Sequence, residues 1–129
     1  MLINGIINPR LLDLVSRVRH TNALVIADAA FPFWPMIETV DLSLIKGIPT
    51  VLDVVGALLP NWKCGEIYMA DEFRGRNSRA TQNAFAKACG AVAIAFEPHL
   101  DFKKRVPGAI GLIRTGDTTA YGNMILVSV

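Results

Sequence analysis

Residues 23–27 read Ala-Leu-Val-Ile-Ala, an apolar run of the length of one buried strand. An ionisable residue stands near each end of it, His20 before and Asp28 after. Upstream, Leu11, Leu12, Val15 and Val18 share one helical face behind Asn8-Pro9, an N-cap followed by proline at the first helical position. That helix is expected to end near residues 20–22. Residues 31–35 form an aromatic loop, because each proline forces its predecessor into extended geometry. Residues 41–47 read as a short helical turn stopped by Gly47. Thr50 caps a segment in which Val51, Leu52, Val55, Leu58 and Leu59 share a face and Pro60 ends it. Its β-branched content leaves a strand as the alternative.

Residues 66–70 read as a strand running into Asp71-Glu72, and residues 74–79 as a polar turn. Residues 78–88 make a helix with Ala80, Ala84, Phe85 and Ala88 inward and Gly90 as its C-cap. A strand at 91–96 leads into a short helix at 97–104 with His99 in its first turn. Residues 109–114 are a strand, 115–120 a polar turn and 121–129 a last strand. Tyr121 and Asn123, two apart, would project from one face of that strand. Strands alternating with helices argue an α/β fold, with a central mixed sheet flanked by helices in a single compact domain over residues 1–129.

Composition adds an expectation of assembly. The chain is 52% hydrophobic and only 19% charged, and a small domain with that balance tends to hide apolar surface in an oligomer. The net charge of +2, with Lys103-Lys104-Arg105 as the longest basic run, argues against nucleic acid. Cys64 and Cys89 make no metal motif and no disulfide framework, so reduced thiols in a cytoplasmic protein are the expectation. No apolar run approaches the length of a membrane span, and the first residues have no signal-peptide pattern.

No dinucleotide fingerprint, phosphate loop, nucleophile elbow or zinc spacing occurs, so no cofactor and no metal are expected. Proton transfer by His, Asp and Tyr remains. Each candidate also has a plainer reading. His20 suits a helix C-terminus, Asp28 a turn, and His99 an exposed helix start where the neutral imidazole is favoured. Asp71-Glu72 is better read as a solvated strand end than as a catalytic pair. The 31–35 loop either plugs a core edge or walls a pocket. Tyr121 and Asn123 are either an ordinary strand edge or a set of donors and acceptors suited to a polyol.

An ordered set of short stretches resembles one family. His20-Thr21, the apolar strand, Ala27-Asp28-Ala29 and Phe31-Pro32 are similar to the opening strand of the ribose pyranase and fucose mutarotase family. The similarity runs on through Val40-Asp41-Leu42-Ser43-Leu44, Gly47-Ile48-Pro49, Asp53-Val54 and Ala70-Asp71-Glu72. It continues in Phe102-Lys103 and Ile113-Arg114-Thr115-Gly116-Asp117, and closes on Tyr121-Gly122-Asn123-Met124-Ile125-Leu126. The resemblance implies a cofactor-independent isomerase that interconverts ring forms or anomers of a free monosaccharide. It also implies a ring-shaped homodecamer with sites between subunits.

Carried over, His20 matches the proton donor and Asp28 the sugar-binding carboxylate. Tyr121, Gly122 and Asn123 match the C-terminal binding triplet. His99 matches a binding position that is His in the ribose enzymes and Arg in the fucose enzymes. Arg114 and Asp117 would support the site. Arg19 departs from the family's usual glycine before the histidine, Asp117 stands where the family has glutamate, and the Phe33-Trp34-Pro35 stretch matches no family pattern. His99 and the 41–49 segment look ribose-like, whereas Phe31-Pro32 and the triplet look fucose-like, so ribose is slightly favoured. The competing readings are a non-catalytic sugar-binding accessory of an uptake pathway and a structural ring protein.

Overall fold

The computed structural model describes residues 1–129. Asn8 accepts the Leu11 amide and starts α1 (Pro9–Ser16), which buries Leu11 and Leu14. The apolar run becomes β1 (Ala23–Ala27). After the aromatic loop comes a short strand, β2 (Thr39–Asp41). Thr50 and Asp53 cap α2 (Val51–Leu58) reciprocally, each side chain accepting the other's backbone N–H. Then follow β3 (Cys64–Ala70), α3 (Glu72–Arg76), α4 (Arg79–Ala88), β4 (Ile94–Glu97), α5 (His99–Arg105), β5 (Gly111–Arg114) and β6 (Met124–Ser128). No helix is long and apolar enough to cross a membrane.

The strands form one sheet in the order β2-β5-β1-β6-β3-β4. β2, β5 and β1 are parallel, β3 and β4 are parallel, and β6 lies antiparallel between β1 and β3. The sheet is therefore mixed, and every strand but β6 points the same way. Alternation along β1 sends Leu24 and Ile26 to one face and Val25 and Ala27 to the other, and both faces are covered. On the first, Leu14, Val55, Leu58, Phe73 and Phe85 from the helices pack with Leu24, Ile26, Met69, Ile113 and Met124. On the second, Phe31, Phe102 and Val106 pack with Val25, Ala27, Leu112 and Ile125.

Five local expectations are corrected. α1 stops at Ser16 with Arg17 as its C-cap, short of the expected end at residues 20–22. Residues 41–47 are not helical: Asp41 ends β2, and the following loop is tied down by Leu44 N–H to Ile48 O and Gly47 N–H to Gly116 O. Pairing of Val40 with Ile113 outweighs the helical spacing of Leu42, Leu44 and Ile45. Residues 72–76 are helical because Phe73 anchors them in the core. In α4, Ala80 and Ala84 face solvent, and Phe85 carries the packing. The last strand begins at Met124, so Tyr121 and Asn123 lie on the turn before it.

Candidate active site

The topology decides which residues can meet. The carboxyl ends of the five co-directional strands, and the amino end of β6, lie at one end of the sheet. In open α/β sheets this is where ligand sites form. Asp28 leaves β1 there, His99 follows β4, Arg114 ends β5 and Asn123 precedes β6. Pairing of Ile26 with Met124 sets Asp28 beside Asn123. The Asn123 Oδ1 accepts the Asp28 backbone N–H at 2.7 Å, and its Nδ2 donates to the Asp28 carboxylate at 3.3 Å.

Around this pair lies a cleft of about 190 Å³ lined by Asp28, Ala30, Phe31, Pro32, His99, Ala120, Tyr121 and Asn123. It is smaller than the roughly 300 Å³ at which drug-sized pockets begin, and so suits a single small molecule. Asp28 Oδ1 accepts the Ala30 N–H at 3.0 Å. Burial raises the Asp28 carboxyl above its ordinary range, opposed by the Ala30 and Phe31 N–H groups and the Asn123 amide. The His99 ring meets Tyr121 edge-on at 5.1 Å and stacks near Phe102 at 6.1 Å. Its Nδ1 is buried with no partner. Tyr121 is held in the left-handed region at φ +53, which turns its ring over the cleft. Larger grooves along α4 contain neither a histidine nor a carboxylate.

Supporting residues sit behind the cleft. The Arg114 guanidinium donates to the carbonyls of Asp28, Ala29, Phe31 and Pro32, the last three at 3.2, 2.6 and 3.3 Å. One planar fork thereby fixes the whole loop that carries Asp28. Asp117 is buried, and its carboxylate accepts Val51 N–H at 2.8 Å and Thr119 N–H at 2.7 Å. It joins the start of α2 to the loop before β6. Gly122 is buried behind the cleft wall, where an added Cβ would meet Thr119 at 3.1 Å. Phe31 packs with Trp34 and Phe102, while Phe33 points out and is 71% exposed. The aromatic loop is therefore both a plug and a wall.

His20 is not in this cleft. It lies in the turn before β1, exposed, next to Thr21 at φ +68. Thr21 N–H bonds Ser128 O, which puts His20 at the far end of β6 from Asn123. At about 3.3 Å per residue the five residues of β1 alone separate the two ends by roughly 17 Å. The Arg19 side chain turns back onto the carbonyls of Ser16 and Val18. Thus one chain unites Asp28, His99, Tyr121 and Asn123 and leaves His20 apart. Sequence reasoning set Glu72 aside as a solvated strand end, yet its carboxylate accepts the His99 backbone N–H. Nothing local in the sequence signals this, since the partners are 27 residues apart.

Comparison with known proteins agrees with this architecture. Residues 1–129 match the model of the RbsD / FucU transport protein family. A D-ribose pyranase of Geobacillus kaustophilus is 36% identical over 125 residues, covering 97% of this chain and 91% of that protein. A D-ribose pyranase of Chromobacterium violaceum is 35% identical, covering 97% and 95%. Bacillus subtilis RbsD complexed with D-ribose superposes with a TM-score of 0.91 at 30% identity, covering 99% of this chain and 97% of that one. The fucose mutarotase of Streptococcus pneumoniae, in complex with L-fucose, gives 0.79 at 19% identity over 94% and 91%, a likeness of fold. A chain that matches the family from end to end, with the family's mixed sheet and a polar cleft at the strand ends, is a member of the RbsD/FucU family.

Proposed function

We propose that this protein is a cofactor-independent sugar isomerase that opens and recloses the ring of a free monosaccharide, with D-ribose interconverted between pyranose and furanose forms. The observation that carries this reading is the full-length likeness to a relative whose structure holds D-ribose, at 30% identity. The D-ribose pyranase names of the relatives support it, as does His99, which the resemblance matches to a position that is His in the ribose enzymes.

The cleft's chemistry fits a polyol. The Asp28 carboxylate accepts from the Ala30 N–H and the Asn123 amide with the Phe31 N–H nearby, and an ionised carboxylate has about four lone-pair sites, so room remains for a sugar hydroxyl. Asn123 keeps one N–H free, and the Tyr121 hydroxyl is free to donate or accept. Ring opening needs a proton delivered to the ring oxygen and one removed from the anomeric hydroxyl. Asp28, His99, Tyr121 and Asn123 hold the sugar; His20 donates to the ring oxygen, and Tyr121 or a water handles the anomeric proton.

Because His20 lies at the opposite end of the sheet, the histidine that serves each cleft belongs to a neighbouring copy. The cleft end carries a rim of exposed apolar residues, Phe33, Met36, Leu44, Ile45, Ile48 and Leu100, suited to burial against that neighbour. A contact of cleft end with His20 end is heterologous, and a heterologous contact closes into a ring when the rotation from copy to copy closes. The resemblance implies a ring-shaped assembly of ten copies. A cytoplasmic location belongs to the same reading, with Cys64 and Cys89 as free thiols.

Exchange NMR on equilibrated D-ribose and L-fucose with catalytic protein tests this. Faster pyranose–furanose exchange of ribose supports the proposal. Response of fucose anomers alone moves the substrate to fucose. Binding without faster exchange leaves a sugar-binding module, and no effect on either sugar refutes the isomerase.

A further inference from the structure

We infer that Glu72 is a positioning residue for His99, fixing one wall of the sugar cleft from outside it; this rests on the sugar-binding reading of that cleft. Glu72 does not line the cleft. It begins α3, and its carboxylate oxygens accept the His99 backbone N–H at 3.0 and 3.2 Å.

Phe102 anchors α5 in the core, but local sequence gives the start of the helix no cap of its own. Pro98, at its N-cap, has neither an N–H nor a capping side chain, and no side-chain cap bond forms within the segment. The first N–H of the helix belongs to His99, and the acceptor comes from the neighbouring strand's loop instead. A carboxylate suits that place, because a helix start carries partial positive charge. A second tie lies beside it: Asp71 N–H donates to Glu97 O at 2.7 Å. Pairing of Ala70 with Glu97 brings the two strand ends together, so Asp71 and Glu72 together clamp the turn Glu97-Pro98-His99.

The clamp matters for the ring because little else directs it. The imidazole is set by aromatic packing on Tyr121 and Phe102, and its buried Nδ1 has no partner. With no side-chain hydrogen bond to hold the ring, its place in the cleft follows its backbone. Release of the His99 N–H lets the turn shift, and a shift of a fraction of an ångström degrades a binding contact. His20, the proposed acid, comes from elsewhere and is untouched.

The test compares Glu72→Ala with Glu72→Gln, whose amide oxygen still accepts the N–H. The chain has only two histidines, so their ring signals in NMR are assigned by comparison with His20→Ala. In Glu72→Ala the His99 ring signals move and those of His20 do not. KM for the sugar rises about fivefold to tenfold with the saturated exchange rate within about twofold. Glu72→Gln restores both readouts to near parent values. Unmoved His99 signals in Glu72→Ala, an equal failure of Glu72→Gln, or loss confined to the saturated rate would overturn the proposal. If the parent protein binds no sugar, the ring signals still decide the positioning role, and only the functional reading falls.

Discussion

At the scale of single residues, the proposed mechanism gives Asp28 and His20, which lie at opposite ends of β1, different jobs. His20→Ala should lower ring exchange by about 10²-fold or more, the range for a general acid, while sugar affinity stays within about threefold; exchange NMR and calorimetry read the two quantities. Asp28 carries the pH dependence. In the proposed role its ionised form accepts sugar hydroxyls, so affinity should fall as pH drops through a midpoint above the ordinary carboxylate range, because burial raises this carboxyl. Its effect on folding has the opposite sign. A carboxyl raised in the folded state adds stability that is full below its unfolded pKa and is lost as pH rises through the folded one. Paired pH titrations of sugar binding and of thermal unfolding check both signs. Arg114→Lys keeps the charge but replaces a planar fork that reaches four carbonyls with a single ammonium. It should raise KM by about tenfold in steady-state exchange, since the loop carrying Asp28 loses its template.

At the scale of elements, Asp117 decides how α2 meets the loop before β6. Asp117→Ala strands two N–H groups, those of Val51 and Thr119, and should cost about 3 kcal/mol in denaturant unfolding. Most of the fold was legible here, and the reason is local. Asn8-Pro9 and Thr50 are caps whose chemistry acts within one turn, and β1 is a pure apolar run between polar ends. Elements decided by distant partners were not legible. β2 exists because β5 pairs with it, and α3 because Phe73 finds the core. The cleft divides the same way. Asp28, His99, Tyr121 and Asn123 were recognisable by type and family resemblance, and the antiparallel pairing of β6 brings the first and last of them together. The Arg114 and Glu72 bonds reach across the sheet to loops far away in sequence, and no local pattern encodes them.

At the scale of the whole molecule, the proposed sharing of the site between copies predicts complementation. His20→Ala and Asp28→Ala should each be nearly inactive alone. When they are co-expressed under different tags and purified as mixed assemblies, about a quarter of the clefts pair an intact Asp28 with an intact His20 by random mixing around a heterologous ring. Recovery of about 25% of parental exchange is expected, and none if each chain serves its own cleft. The left-handed backbones have a further consequence. Thr21, beside His20, and Tyr121, on the cleft, are the non-glycine residues with positive φ, at +68 and +53. Each such conformation costs on the order of 1–3 kcal/mol. A laboratory selection for heat resistance alone, blind to catalysis, should therefore converge on these two positions and accept Gly or Asn there. On the proposed sharing of the site, its most heat-resistant survivors would be the poorest isomerases, and the map of their substitutions would outline the two halves, the His20 end and the cleft, that the fold of one chain keeps apart.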